Sequence, residues 1–282
     1  MSMKKLLIYL LIAAVSSAAT FIAVDILSDD HAYPEGVSRA TLHSEILKED
    51  RDLIVHLPAN YNPNQKYPVM YVLDGSSEDD HIADKLNTLS AVGSVPATIV
   101  VGIPNMSGEN RQRNLTPPFM KMDNDKDDSP PGEADAFLTF MESEVIPFMA
   151  TNYAVSNQRM LCGNSRGGLL VIYSLIKKPS LFQARFCFSA PVWRQNDILI
   201  SKVEEFLTEK DTLDTFLYMS AGEDETDNIK GGLARMKTLF QKITPEGFVW
   251  HTEYTPNSTH QTNSRNSAAA AFGEWGHGID GL

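Results

Sequence analysis

The sequence predicts one α/β domain, a mainly parallel central sheet with helices on both faces and an antiparallel hairpin at its N-terminal end. Three observations predict it. From about residue 37 the hydrophobic periodicity switches repeatedly between two and about 3.6 residues. A short apolar strand pattern, Met160-Leu161-Cys162, passes through a glycine-flanked serine directly into a helical pattern. The chain of 282 residues is 43% hydrophobic and 21% charged, enough apolar material for one large core and too ordered a composition for disorder or a fibrous repeat.

In chain order, the strand patterns are Thr41 to Leu47, Arg51 to Leu57, Val69 to Leu73, Thr98 to Ile103, Met160 to Cys162, Ala184 to Phe188, Thr215 to Met219 and Phe248 to Tyr254. The first two read as a hairpin. Helical patterns fall between the later ones, at Asp79 to Ser90, Ala134 to Met149, Arg166 to Ile176, Ile198 to Thr208, Asn228 to Gln241 and Ser264 to Trp275. Strands separated by helices pair in parallel, which gives the sheet its class. Asn105 to Glu133 breaks the rhythm. It is polar, contains four prolines and the acidic run Met122 to Asp128, and is too long for a simple connection; it reads as an irregular insertion over the strand ends.

Residues 1–24 stand apart. Lys4 and Lys5 precede the uncharged run Leu6 to Val24, with small residues at Ser16 to Ala19, the pattern of a secretory signal peptide or an uncleaved N-terminal anchor. Residues 25–36 read as a linker and residues 37–282 as the folded domain. Export, to the periplasm or the medium, is the expectation, with a membrane contact only through that first segment.

Charge narrows the function classes. Twenty-four Lys and Arg against 36 Asp and Glu give a formal net charge of -12, which repels phosphate backbones, so nucleic acid is not an expected partner. Cys162 and Cys187 are too few for a disulfide framework and lack zinc-site spacing; they read as packing residues. No H-E-x-x-H, C-x-x-C, Walker or dinucleotide loop occurs, so no metal or organic cofactor is expected. The three Asn-x-Ser/Thr sequons, at Asn105, Asn114 and Asn257, are read as chance matches.

Gly163-Asn164-Ser165-Arg166-Gly167 matches G-x-S-x-G between strand and helix, the context of a nucleophile elbow. The turn is so tight that residues two before and two after the serine must be small, as Gly163 and Gly167 are. Ser165 would then sit at a helix N-terminus, where free N–H groups, including that of Arg166, can stabilise an oxyanion. A serine hydroxyl needs a base to attack at neutral pH. In the α/β-hydrolase chain order of Ser, acid, His, the candidates are His251, His260 and His277. His251 lies within a strand pattern and His277 in a Gly-rich tail, whereas His260 follows the last strand in a polar loop, the position such a fold gives its base. The acid should follow the preceding strand, where Glu223, Asp224 and Glu225 come after the turn glycine Gly222.

These residues carry a resemblance. The segment Tyr67 to Gly75, the pattern Arg111 to Pro117, Gly163 to Gly168, Lys178 to Phe182, Phe188 to Trp193, Gly222 to Glu225 and His260 together resemble the esterase family of α/β-hydrolases that includes enterochelin-type siderophore esterases, S-formylglutathione hydrolases and mycolyltransferases. The resemblance implies Glu225 as the triad acid, with Asp224 next. It implies the Ser76 N–H as the second oxyanion donor beside that of Arg166, Arg113 beside the substrate pocket and Trp193 in its wall. Asn164 stands where many relatives carry His, and Arg194 where a second Trp is usual. The implied activity is serine-dependent hydrolysis of a small-molecule carboxylic ester through an acyl-enzyme, with a siderophore ester as first choice of substrate. Acyl transfer to an alcohol and a non-catalytic ligand-binding role in the same fold are the rival readings.

Overall fold

The structure, a computed structural model, describes residues 34–279; the segment read as a signal peptide or anchor and most of the linker lie outside them. Eight strands form one sheet: β1 (Val37–Ser44), β2 (Glu49–His56), β3 (Tyr67–Leu73), β4 (Ile99–Ile103), β5 (Val155–Asn164), β6 (Ala184–Phe188), β7 (Thr212–Gly222) and β8 (Glu246–Thr255). Their spatial order is β1-β2-β4-β3-β5-β6-β7-β8. β1 pairs with β2, and β2 with β4, antiparallel; every other neighbouring pair is parallel. The N-terminal hairpin and the parallel body therefore stand as the periodicity requires.

Seven α-helices connect these strands among the described residues: α1 (Asp79–Ala91), α2 (Gly108–Leu115), α3 (Ala134–Phe140), α4 (Ile146–Asn152), α5 (Arg166–Lys177), α6 (Arg194–Thr208), α7 (Asp227–Lys242) and, after the last strand, an eighth, α8 (Asn263–Ile279). One π-helical turn, Met141–Val145, joins α3 to α4 where a single helix is expected. Glu144 on that turn accepts from the Ser44 hydroxyl and from the main-chain N–H groups of Glu45 and Ile46. The turn thus caps the loop that ends β1 three residues before Leu47.

The alternation of side chains along each parallel strand divides the core into two layers. Val69, Tyr71, Leu73, Leu161, Leu217 and Met219 face one layer, with α3 to α7. Met70, Val72, Met160, Cys162, Phe216 and Tyr218 face the other, where α1 contributes Ile82 and Leu86 and α8 contributes Phe272 and Trp275. Cys162 and Cys187 fall in different layers, both buried and free. Burial alone pushes the Cys187 thiol pKa up, consistent with a packing role.

The insertion is more ordered than its composition suggests. It contains α2, whose N-cap Ser107 accepts from Asn110 N–H. Beyond it, Lys121 and Pro131 form an isolated antiparallel bridge, closing a small flap. Among the described residues no helix is long and apolar enough to cross a membrane.

Candidate active site

Each candidate group stands at the C-terminal end of a parallel strand, where ligands bind in open α/β sheets. Ser165 follows β5 with φ 54 and ψ -118, a left-handed backbone that costs a serine of order 1–3 kcal/mol and exposes its hydroxyl at the top of the sheet. Two glycines permit the turn. A Cβ on Gly163 would lie 2.6 Å from the Gly167 carbonyl carbon, and one on Gly168 would lie 2.7 Å from Ala190 Cβ. At Gly167 the nearest atoms are 3.4 Å away, so the close approach falls on Gly168 more than on the glycine of the pentapeptide.

Ser165, His260 and Glu225 form one hydrogen-bonded line. His260 Nε2 lies 2.9 Å from Ser165 Oγ, and His260 Nδ1 lies 2.8 Å from Glu225 Oε2. The imidazole is 39% exposed, open to a substrate, whereas the Glu225 side chain is fully buried. Glu223 and Asp224 are exposed, and their main-chain N–H groups donate to Thr255 and Ser258 carbonyls, which docks the His260 loop against the end of β7.

Glu225 is held on its far side as well. Its Oε1 accepts from the Ser189 hydroxyl at 2.5 Å and from Gly222 N–H at 2.8 Å. Asn263 Nδ2 donates in turn to Ser189 Oγ and to Ser220 Oγ. Burial, the largest single influence on Glu225, pushes its pKa up, but the hydrogen bonds from His260, Ser189 and Gly222 outweigh it, and the carboxyl stays below its ordinary value. Ser189 and Asn263 escape sequence reasoning: isolated polar residues near strand ends carry no local signal until the fold brings them together.

The two N–H groups expected to meet an oxyanion differ in availability. Arg166 is the first residue of α5, so its N–H has no acceptor within the helix. The Ser76 N–H instead donates to Asp79 Oδ1 at 2.6 Å. Asp79 is the first residue of α1, and its side chain reaches back over the preceding turn to claim the donor. Asp79 is fixed by His56 Nε2 at 2.8 Å on its other oxygen. The expected second donor is therefore occupied in this conformation. His56, Asp79 and Asp80 also place possible metal-ligand atoms within 4.8 Å of one another, but His56 and Asp79 already satisfy each other.

Arg113 does not face the pocket. It pairs with Glu49 at 3.1 Å and Glu133 at 3.7 Å, because residues two apart on a helix point to nearly opposite sides. Arg111 takes the other side, bonding Asp74 through Nε and Nη2 at 2.6 and 2.8 Å. Asp74, Ser76, Ser77, Asn105, Arg111 and Asn164 line an open cavity of about 460 Å³ beside Ser165. Trp193 is half-buried, and its indole N–H has no partner among the described residues.

Two further arginines tie the flap to the site. Arg166 Nη1 donates to Thr116 Oγ1 and the Met122 carbonyl, and Arg194 Nη2 to the Lys121 and Met122 carbonyls. Arg194 thus braces the flap from the position where the related pattern has Trp. Gln195, Asn196 and Asp197 follow with φ of 51, 56 and 59, a left-handed turn that lets Gln195 Oε1 accept from Lys121 N–H, so regular helix begins only at Ile198. Burial first, then the charges of Arg194 and Arg111, lowers the Arg166 pKa to about 10.

The fold and this arrangement are those of an α/β-hydrolase, and sequence comparison gives the class a family. Residues 44–261 match the family described as "Putative esterase", and the chain belongs to that family. It is 26% identical over 207 residues, 68% of this chain and 71% of the relative, to ferri-bacillibactin esterase BesA of Bacillus subtilis (strain 168). It is 26% identical over 155 residues, 52% of this chain and 48% of the relative, to the apo-salmochelin esterase of Escherichia coli O6:H1. Among solved structures it resembles an IroE-like serine hydrolase from Shewanella oneidensis with a TM-score of 0.77 and 26% identity, covering 85% of this chain and 79% of the other.

Proposed function

We propose that the protein is an exported serine esterase that cleaves a siderophore ester through an acyl-enzyme. The hydrogen-bonded line Ser165, His260, Glu225 carries the proposal. In the first half-reaction Ser165 Oγ attacks the ester carbonyl carbon as its proton passes to His260 Nε2. Glu225 stabilises the imidazolium through the Nδ1 proton, and the Arg166 N–H stabilises the tetrahedral oxyanion. His260 then returns the proton to the leaving alkoxide, and the C–O bond breaks. In the second half-reaction His260 takes a proton from water, which attacks the acyl-enzyme and releases the acid and Ser165.

The substrate class is supported by the relatives, three of which are named as esterases of siderophores. Export is supported by the apolar run Leu6 to Val24 alone, and fractionation of the producing cell tests it.

Hydrolysis of short-chain p-nitrophenyl esters and of ferric siderophore esters, with Ser165→Ala and His260→Ala beside the wild type, tests the activity. Each variant is expected to lose at least about a thousandfold in kcat while keeping its fold. Retained turnover in Ser165→Ala removes it as the nucleophile, and wild-type turnover of p-nitrophenyl esters alone removes the siderophore assignment.

A further inference from the structure

At the opposite end of the sheet from Ser165, where β3 and β5 begin, lies a second cavity of about 400 Å³. Its walls come from the loop before β3, from α4 and from the start of β5. One side is hydrocarbon, from Val69, Ile146 and Ala150. The lining also carries Lys66, Arg159 and Tyr71, with the polar Asn64, Ser156 and Asn157.

Three features of this lining point the same way. No acidic residue borders the cavity, in a chain with 36 of them. Lys66 has no ion-pair partner among the described residues, and Arg159 spends only Nε, on the Leu181 carbonyl at 2.8 Å. Tyr71 is 1% exposed, its ring set edge-on to Phe182 at 6.2 Å, and its hydroxyl has no hydrogen-bond partner among the described residues. With no partner in the described chain, the hydroxyl is left to face the cavity that Tyr71 lines, where it can donate to a bound group. Two cations and one hydroxyl thus border a space whose remaining lining mixes apolar residues with the polar Asn64, Ser156 and Asn157.

We infer that this cavity is a binding site, separate from the Ser165 site, for a small amphiphilic carboxylate with an aromatic or branched hydrocarbon body. The carboxylate accepts from Lys66 Nζ, the free Arg159 guanidinium nitrogens and the Tyr71 hydroxyl, and the hydrocarbon lies on Val69, Ile146 and Ala150. Its volume falls in the range of small-molecule sites. The inference stands on this cavity alone and does not depend on the reaction at Ser165.

The test is a benzoate titration of the full protein followed by methyl NMR, with benzamide as the neutral isostere. Benzoate is expected to shift the Val69, Ile146 and Ala150 methyl resonances saturably and benzamide to bind at least about tenfold more weakly. Tyr71→Phe, which keeps the ring and its packing, and Lys66→Met are each expected to weaken benzoate about tenfold while the methyl spectrum elsewhere stays unchanged. Ser165→Ala is expected to bind as the wild type does. Shifts that are absent, that cluster around Ser165 instead, or that are equal for benzamide overturn the assignment, as does unaltered affinity in both cavity variants.

Discussion

Two buried charged side chains at opposite ends of the parallel sheet, Arg185 and Glu225, are used in opposite ways. Near the start of β6, Arg185 is fully buried with no carboxylate partner. It donates to Ser174 Oγ and Thr215 Oγ1 and to the carbonyls of Ser174, Lys178, Pro179 and Phe182. Those acceptors tie the Lys178 to Phe182 loop to the sheet. Burial lowers the Arg185 pKa to about 9. At the other end Glu225 is buried too, but one of its two oxygens meets the imidazole of His260, a group that can change its charge. A buried charge saturated by neutral groups makes structure; one that shares its hydrogen bonds with a titratable neighbour makes chemistry.

Backbone conformation separates the ends in the same sense. Asp74, Ser165 and Ser189, immediately after β3, β5 and β6, all have positive φ, at 57, 54 and 51. Three adjacent strands thus end in strained non-glycine residues on the side that holds the candidate site, as expected where a fold positions reacting groups against their local preference.

Glu225→Gln should break the distinction most severely. A neutral amide presents the wrong partner to His260 Nδ1, and kcat is expected to fall by about 10²- to 10⁴-fold in ester hydrolysis, while Asp224→Asn stays within about twofold. Equal losses would remove the difference between the buried carboxylate and its exposed neighbours. Arg185→Met should do the reverse, lowering unfolding free energy by about 2–4 kcal/mol through the orphaned acceptors, with kcat per folded molecule unchanged. Denaturant titration alongside ester turnover reads both quantities. Ser189→Ala lies between them: it removes one donor from Glu225, and about tenfold in kcat together with about 1 kcal/mol of stability is the expected loss.

The smallest effect is on pH. Because the folded-state pKa of Glu225 is below its ordinary value of 4.5, its contribution to stability is fully present at neutral pH and is lost as pH falls from 4.5 through that lowered value. Ser189→Ala should raise the folded-state pKa and so reduce the drop in stability across this acid range. Thermal melts from pH 6 downward, compared between wild type and variant, check the sign.

How much of this was legible in the sequence depends on the range of the interaction. The two core layers follow from alternation within single strands, so Val69 and Met70 could be assigned to opposite faces locally. The Gly163 to Gly167 pattern and the position of His260 after the last strand are also local or ordinal signals. The Ser189–Glu225–Gly222 arrangement is not, because residues 189 and 225 meet only when β6 and β7 pair. Arg113 was misplaced because a helix within a polar, proline-rich insertion carries no apolar stripe to fix which side faces inward; α2 puts Arg111 at the cavity instead. Ser76 does line the cavity beside Ser165, but its N–H, expected to meet an oxyanion, donates to Asp79 Oδ1 in this conformation, a competition that spacing in the sequence does not reveal.

The central claim, that the buried carboxylate and the exposed imidazole exist to activate Ser165, is tested most directly by fluorophosphonate labelling followed by peptide mass spectrometry. A single rapid adduct on Ser165 is expected in the wild type, slowed at least about a hundredfold in both His260→Ala and Glu225→Gln. Labelling at another serine, or labelling of Ser165 at the same rate in all three proteins, would contradict it.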